Sequence, residues 1–472
     1  MNPAMKPRQL PFLRKSLVLA ARPPFALALT ALLLNLTTGM AAEPLGVDQY
    51  GGIKALRGKA TGVFHLEKVG KRDCLITPDG QGFLSLGVVH IGAIKEPSKI
   101  DLFQDQYGGD WKRVSEAAAQ NLKSWGFNTA GYHGPAPIRD LLPFMADAFL
   151  EKNSFFLPEA AFRYSDVFDP AVQEQQREVI RRMCDNAKTN PRLIGYYWTD
   201  TPQWDLRNAR TRRGIDWVST IRQLGAAAPG KRRYVEFLKE RYGGKIAAVN
   251  KEYSLAAISF PDLLSHPFNG LDLSNPEIYA DDQEFLRLIA REHYRVIGEE
   301  TRRCDPKHLV FGERYLMGDH PDAVIQEALP HIDVLSIQPL GKEFNGELFD
   351  RLHRLVGKPI LLCDHQCSFA TPDYPKTMWQ QLESEEAVGQ AYARFLECAF
   401  AKSYILGFHR CQYIDRFVPY QGVLKQGLLR ENGRPYETLV NHVRDANREQ
   451  MRRFAQRPAP EGTRGDIGAS SH

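Results

Sequence analysis

The chain has 472 residues, 43% of them hydrophobic and 25% charged, with a formal net charge of +5. Those are the proportions of an ordinary globular protein, long enough to bury a large core in one big domain or two. Lys6, Arg8, Arg14, Lys15 and Arg22 precede the first acidic residue, so the excess charge belongs to the N-terminal segment, and the near-neutral remainder gives no support for nucleic-acid binding.

That basic segment runs into an uncharged stretch, "FALALTALLLNL", and then into small residues at Gly39, Ala41 and Ala42. This is the three-part layout of a secretory signal. The apolar run is shorter than the ~20 residues that span a bilayer, so no stable membrane anchor is expected. Residues 1–42 are read as a signal peptide cleaved near Ala41 or Ala42, leaving a periplasmic or secreted mature protein.

Next, "GVFHLEKVGKRDCLITPDGQGFLSLGVVHIG" predicts a hairpin-like entry: strands over Val63 to Val69, Cys74 to Ile76 and Phe83 to His90, with a Pro78-Asp79-Gly80 turn. Strands then alternate with helices. "DWKRVSEAAAQNLKSWG" is amphipathic and stops at Gly126, "FNTAGYH" reads as a strand, and "QEQQREVIRRMCDNAKTNP" is the next helix. It leads into a buried strand over Leu193 to Trp198, which Pro202 prevents from continuing, so Asp200 stands where strand gives way to loop. From Leu206 to Pro276 the chain makes a long excursion, predicted as one helix plus loops inserted after the fourth strand.

"HLVFGERY", "IDVLSIQP", "KPILLCDHQ" and "ILGFHRCQY" then supply short apolar strands, separated by helices over Asp282 to Arg303, Glu347 to Val356 and Glu385 to Ser403. About eight strand-helix units predict an α/β fold, a closed (β/α)8 TIM barrel over residues 43–447. A polar stretch, 448–472, is predicted to be a disordered tail. No Gly-rich phosphate loop follows any strand, which removes the usual nucleotide cofactors.

The seven cysteines are scattered through a chain too large to need stapling, and their odd number leaves at least one unpaired. Cys363, His365 and Cys367 lie close in sequence, but no second Cys/His pair follows at finger-like spacing. No metal or other cofactor is therefore expected, and the Cys363 and Cys367 thiols are read as small apolar groups.

In such a barrel the chemistry sits at the C-terminal strand ends. Those positions hold His90, Tyr132, His133, Trp198, Asp200, Glu313, Arg314, Gln338, Asp364, His365, Gln412 and Tyr413. Carboxylates, amides and aromatic rings converging on one face suit a carbohydrate, because rings stack on sugar faces, amides bind hydroxyls and paired acids cleave glycosidic bonds. Trp198 and Tyr196 could instead be core, and Arg314 could pair with Asp200 or Asp364. Glu313 and Arg314 are adjacent, so only one of them should face inward. Asp200 and Asp364 are hardest to assign to packing, since an acid on an apolar strand is costly without a partner or purpose.

The blocks "LKSWGFNTAGYH", "SDVFDP", "GYYWTDTPQW", "PGKRRYVEFLKERYGGKIAAVNKEYS", "KPILLCDHQCSFA" and "GFHRCQYIDR" resemble, in this order, agarase-like and β-galactosidase-like (β/α)8 glycoside hydrolases from Thr61 to Asn447. The resemblance implies an Asn-Glu acid/base pair at the fourth strand and a nucleophilic glutamate at the seventh. Here the matching residues are Asp200-Thr201 and Asp364, so the family's retaining mechanism does not transfer.

The expected function is an exported hydrolase of a polysaccharide or oligosaccharide, galactose-containing if the resemblance holds. Asp200 and Asp364 would be its catalytic pair, and His90, His133, Trp198, Arg314, Gln338, His365, Gln412 and Tyr413 would contact sugar. A glycan-binding barrel without catalysis is the alternative reading. A metal held by Asp200, Asp364, His365 and His133 is a third.

Overall fold

The computed structural model describes residues 45–95, 99–268, 271–372, 374–377, 380–418, 422–424 and 426–456. The signal-peptide expectation lies outside these residues. At the N-terminus the expected hairpin is a four-stranded antiparallel sheet: β1 (Ile53–Arg57), β2 (His65–Val69), β3 (Arg72–Ile76) and β4 (Gln81–Phe83), in the order β1-β4-β3-β2. The predicted strand from Phe83 to His90 is broken at Leu84. Its second half, β5 (Ser85–Val88), leaves this sheet and opens the barrel.

Among the described residues, eight parallel strands close that barrel. They are β5, β6 (Thr129–Ala130), β7 (Phe144–Asp147), β8 (Leu193–Asp200), β9 (Leu309–Leu316), β10 (Leu335–Gln338) and β11 (Ile360–His365) and, after a two-residue ladder of β12 (Ser368–Phe369) with β13 (Gln381–Leu382), β14 (Ile405–Arg410). A short antiparallel ribbon, β15 (Arg416–Val418) with β16 (Gly422–Leu424), follows the last barrel strand. The expected TIM barrel is thus the fold.

Local chemistry sets the helix ends. The Asp110 carboxylate accepts the Lys112 N–H to open the helix Trp111–Ser124, and Gly126 follows it at a left-handed φ of 78°. Asp169 and Asn275 cap the helices Pro170–Asp185 and Pro276–Cys304, each of which begins with the proline that an N-terminal turn tolerates. Each of these helices buries one face, with Ile180, Ile289 and Ile297 completely covered and Phe285 packed on Tyr234 and Phe237 of the excursion.

Two expectations need correction. The excursion after β8 holds helices at Leu206–Arg213, Trp217–Arg222, Pro229–Arg241, Ile246–Tyr253 and Phe260–Leu263, not one helix. The first, second and fifth, of 8, 6 and 4 residues, are each opened by an Asp or Ser cap and are too short to show an apolar period. At the other end, the helix Glu437–Ala455 continues through Arg448, because Asn447, Gln450 and Phe454 are buried on its inner face. The rest of the expected tail, beyond Gln456, lies outside the described residues.

Candidate active site

Which side chains meet at the barrel mouth is decided by alternation along each strand. On β8, Ile194 and Tyr197 pack inside the barrel with Tyr132, Phe311, Leu361 and Cys363, whereas Tyr196 and Trp198 face the helices. The register shifts between Tyr197 and Asp200, and this bulge returns Asp200 to the interior. On β9, Gly312 takes a φ of 69°, after which Glu313 turns outward and Arg314 inward. Glu313 accepts hydrogen bonds from Trp204 Nε1 at 2.7 Å and the Tyr294 hydroxyl at 2.6 Å, so the expected division of labour between these neighbours is observed.

Asp200 and Arg314 are paired in register on β8 and β9, and Arg314 Nη2 lies 3.3 Å from Asp200 Oδ1. Gln338, the last residue of β10, donates to the same oxygen at 2.8 Å. Arg314 is fully buried, with its guanidinium 3.3 Å from the centre of the Tyr132 ring. Stacking and the Asp200 charge are what hold that cation in a dry interior.

Asp364, on β11, has a different setting. The Tyr132 hydroxyl donates to its Oδ2, the Cys411 thiol donates to the same carboxylate, and His90 Nε2 lies 3.9 Å away. Burial, then the nearby negative charge of Asp200, push the Asp364 carboxyl up to about 6, against the pull of those two hydrogen bonds. Both carboxylates also act on Tyr132, whose hydroxyl is held well above its usual range by burial and then by Asp200 and Asp364.

A histidine pair completes the rim. His90 Nδ1 is 3.1 Å from His133 Nδ1, and His133 Nε2 is 3.5 Å from Asp147 at the end of β7. Burial, aided by the charge of Arg416, holds His90 well below the usual histidine range, and burial lowers His133 as well. His90, His133, Thr201 and Asp364 have left-handed φ values of 57°, 55°, 40° and 65°. Such backbone costs of order 1–3 kcal/mol per residue and tends to collect where side chains are aimed for function.

Asp200, Asp364, His90, His133, Arg314 and Gln338 therefore gather at one mouth. Three other candidates do not. Trp198 Nε1 donates to Thr301 Oγ1 at 3.1 Å on the helix Pro276–Cys304. The His365 ring stacks on Phe395 at 4.1 Å and bonds the Gly341 carbonyl, and Tyr413 receives a hydrogen bond from Asn121 on the helix Trp111–Ser124. All three lie in the outer layer between strands and helices, which alternation places opposite the mouth. Gln412 is buried beside Cys411, its Oε1 3.9 Å from the thiol sulfur.

With His365 turned outward, a metal set of Asp200, Asp364, His365 and His133 is not assembled. A different trio is: His90, Asp364 and Cys411 each offer one donor atom, all within 4.8 Å of one another. Sequence reasoning left Tyr132, Asp147 and Cys411 out of the site. Tyr132 was visible as a strand-end aromatic, whereas Asp147 ends a strand too short to announce itself. All seven cysteines are free, so no disulfide forms. No helix of the described residues is long and apolar enough to cross a membrane.

Known proteins resemble this chain in sequence and fold at low identity. No family model matches the sequence. Beta-agarase B from Vibrio sp. (strain JT0107) is 20% identical over 348 residues, covering 69% of this chain and 36% of its own, so this chain spans about a third of that relative's length. Among solved structures, an exo-beta-agarase aligns over 86% of this chain and 67% of its own with a TM-score of 0.73 at 17% identity. The agarase AgWH50C aligns over 88% and 68% with a TM-score of 0.72 at 19% identity. The likeness read from the sequence blocks thus holds for the fold, and the chain carries the agarase-like (β/α)8 barrel of these glycoside hydrolases.

Proposed function

We propose that the protein is an exported glycoside hydrolase acting on a galactose-containing polysaccharide of the agarose type, with Asp200 and Asp364 as its catalytic pair. The observation that carries this reading is the unequal setting of two acids at one mouth. Asp200 is ion-paired with Arg314, while Asp364 is buried and raised to about 6. Two carboxyl groups in such unequal settings can divide acid and base roles.

Asp364 is the proton donor to the leaving glycosidic oxygen, and Asp200 is the carboxylate that activates water or attacks the anomeric carbon. This exchanges the roles implied by the family resemblance, in which the fourth strand carries the acid. Arg314 and Gln338 fix the Asp200 carboxylate, and His90 and His133 present neutral rings to sugar hydroxyls.

The experiment is a digestion screen of agarose and other galactose polymers, with product analysis. The wild-type protein should release sugar, and Asp200→Asn and Asp364→Asn should each lose roughly 10²–10⁴-fold in kcat, the usual worth of positioned proton transfer. Full activity in either variant overturns the assignment.

One observation favours the glycan-binding alternative. Thr201, at the family's acid/base position, is buried with its hydroxyl 2.9 Å from Ser154 Oγ and so is turned away from chemistry. Saturable binding of the same polymers without product would establish that reading.

A further inference from the structure

We propose that His90, Asp364 and Cys411 form a binding site for a thiophilic divalent cation of the Zn2+ type, which the hydrolase reading does not call for. The three residues stand at the ends of three adjacent barrel strands, β5, β14 and β11. Backbone hydrogen bonds fix their positions: Val89 N–H donates to the Arg410 carbonyl at 3.0 Å and Cys411 N–H to the His365 carbonyl at 2.9 Å. The left-handed backbone at His90 and Asp364 aims both side chains inward.

Proton accounting at the rim leaves a bare lone pair facing this trio. The Asp147 carboxylate, 3.5 Å from His133 Nε2, favours the His133 tautomer protonated there, which leaves His133 Nδ1 as the acceptor and puts the shared proton on His90 Nδ1. His90 Nε2 is then unprotonated. Its polar neighbour at 3.0 Å is the Tyr132 hydroxyl, whose single proton goes to Asp364. With Asp364 ionised, its carboxylate takes the Tyr132 and Cys411 protons, and the His90 Nε2 lone pair beside them is left without a donor.

A cation supplies what is missing. Nitrogen, oxygen and sulfur donors form a common zinc set, and bonds of about 2.0–2.3 Å in tetrahedral array put donor atoms roughly 3.3–3.8 Å apart. Here the donors lie within 4.8 Å, with His90 Nε2 to Asp364 Oδ2 at 3.9 Å, so modest side-chain rotation closes the set. The Asp147–His133–His90 chain is the second layer that orients a ligating imidazole and fixes its tautomer. Gln426 Nε2, 3.1 Å from Cys411 Sγ, supports the sulfur in the same way. On binding, the Cys411 S–H bond breaks and an S–metal bond forms, with the proton released to solvent.

The test is a titration of the full, metal-stripped chain with Co2+, whose thiolate charge-transfer band reports a sulfur ligand, followed by competition with Zn2+. One equivalent of Co2+ should give that band, Zn2+ should abolish it, and tighter binding at higher pH should accompany the released proton. Cys411→Ser should lose the band and bind at least tenfold more weakly, and His133→Ala should weaken binding without removing the band. Cys398→Ser, at an exposed cysteine, should change nothing.

No band in the wild-type chain, or an unchanged band in Cys411→Ser, overturns the proposal. If Cys411→Ser does not fold, His90→Gln keeps the sulfur and tests the nitrogen ligand by the same tenfold weakening. Because Asp364 belongs to both sites, bound Zn2+ should also suppress polysaccharide cleavage. The Co2+ band needs no substrate, so it decides the metal site even if no polymer is cleaved.

Discussion

Asp364 carries two opposed influences: burial and the Asp200 charge favour its proton, while the Tyr132 hydroxyl and the Cys411 thiol favour its charge. If Asp364 is the proton donor, only its protonated form is active, so kcat/KM should fall about tenfold per pH unit above about 6. Tyr132→Phe removes a bond made to the ionised form, so the falling limb should move to higher pH. A pH–rate profile of both proteins checks this, and a limb moving to lower pH would contradict the role of Tyr132. The sequence disclosed the two aspartates because acids on apolar strands need a reason to be there. It did not disclose that Trp198, His365 and Tyr413 face the helices, since one bulged residue reverses every later side chain on a strand. Cys411 was equally hidden, because a thiol's neighbours across a barrel leave no trace in its own stretch of chain.

At the scale of the element, β8 shows how closely the strands are fitted. A Cβ added at Gly195 would collide with the Leu309 carbonyl oxygen and lie 2.7 Å from Phe311 Cε2, with backbone on one side and a barrel-filling ring on the other. Neither can yield cheaply. Gly195→Ala should destabilise the protein by roughly 1–3 kcal/mol, as overpacking does, read as a lower urea midpoint with an unchanged slope. Strands of this kind were legible when they open on an unbroken apolar run, as β8, β9 and β11 do. β7 was missed: four residues after Pro143 offer too short a pattern for either period. The helices after β8 were under-counted for a related reason, since several are held by caps and tertiary packing and not by an amphipathic stripe of their own.

Across the whole molecule, the barrel was legible because strand-helix alternation repeats often enough for local errors not to matter. Its response to acid was not, since that depends on which histidines end up without water. Burial pushes His365 down to about 4 and His409 to about 3, against roughly 6.5 in an unfolded chain. Both folded values are depressed, so the unfolded state binds protons first and stability is lost as pH falls below about 6.5. At pH 5.5 each histidine should cost somewhat more than ~1 kcal/mol relative to neutral pH. Asp364 works the other way: its folded value of about 6 lies above the unfolded one, so it favours the folded state as pH falls through 6, by something under ~1 kcal/mol at pH 5.5. The histidines outweigh it. His90 and His133, also lowered by burial, add to the same trend, so urea unfolding should show a lower stability at pH 5.5 than at pH 7, and His409→Gln should remove about 1 kcal/mol of that dependence if it folds. A protein more stable at pH 5.5 would show that these rings are not held neutral. Catalysis by a protonated Asp364 and a barrel that needs neutral histidines therefore draw pH in opposite directions, and the working range should centre near pH 6, where the acid is half charged and the fold has lost little.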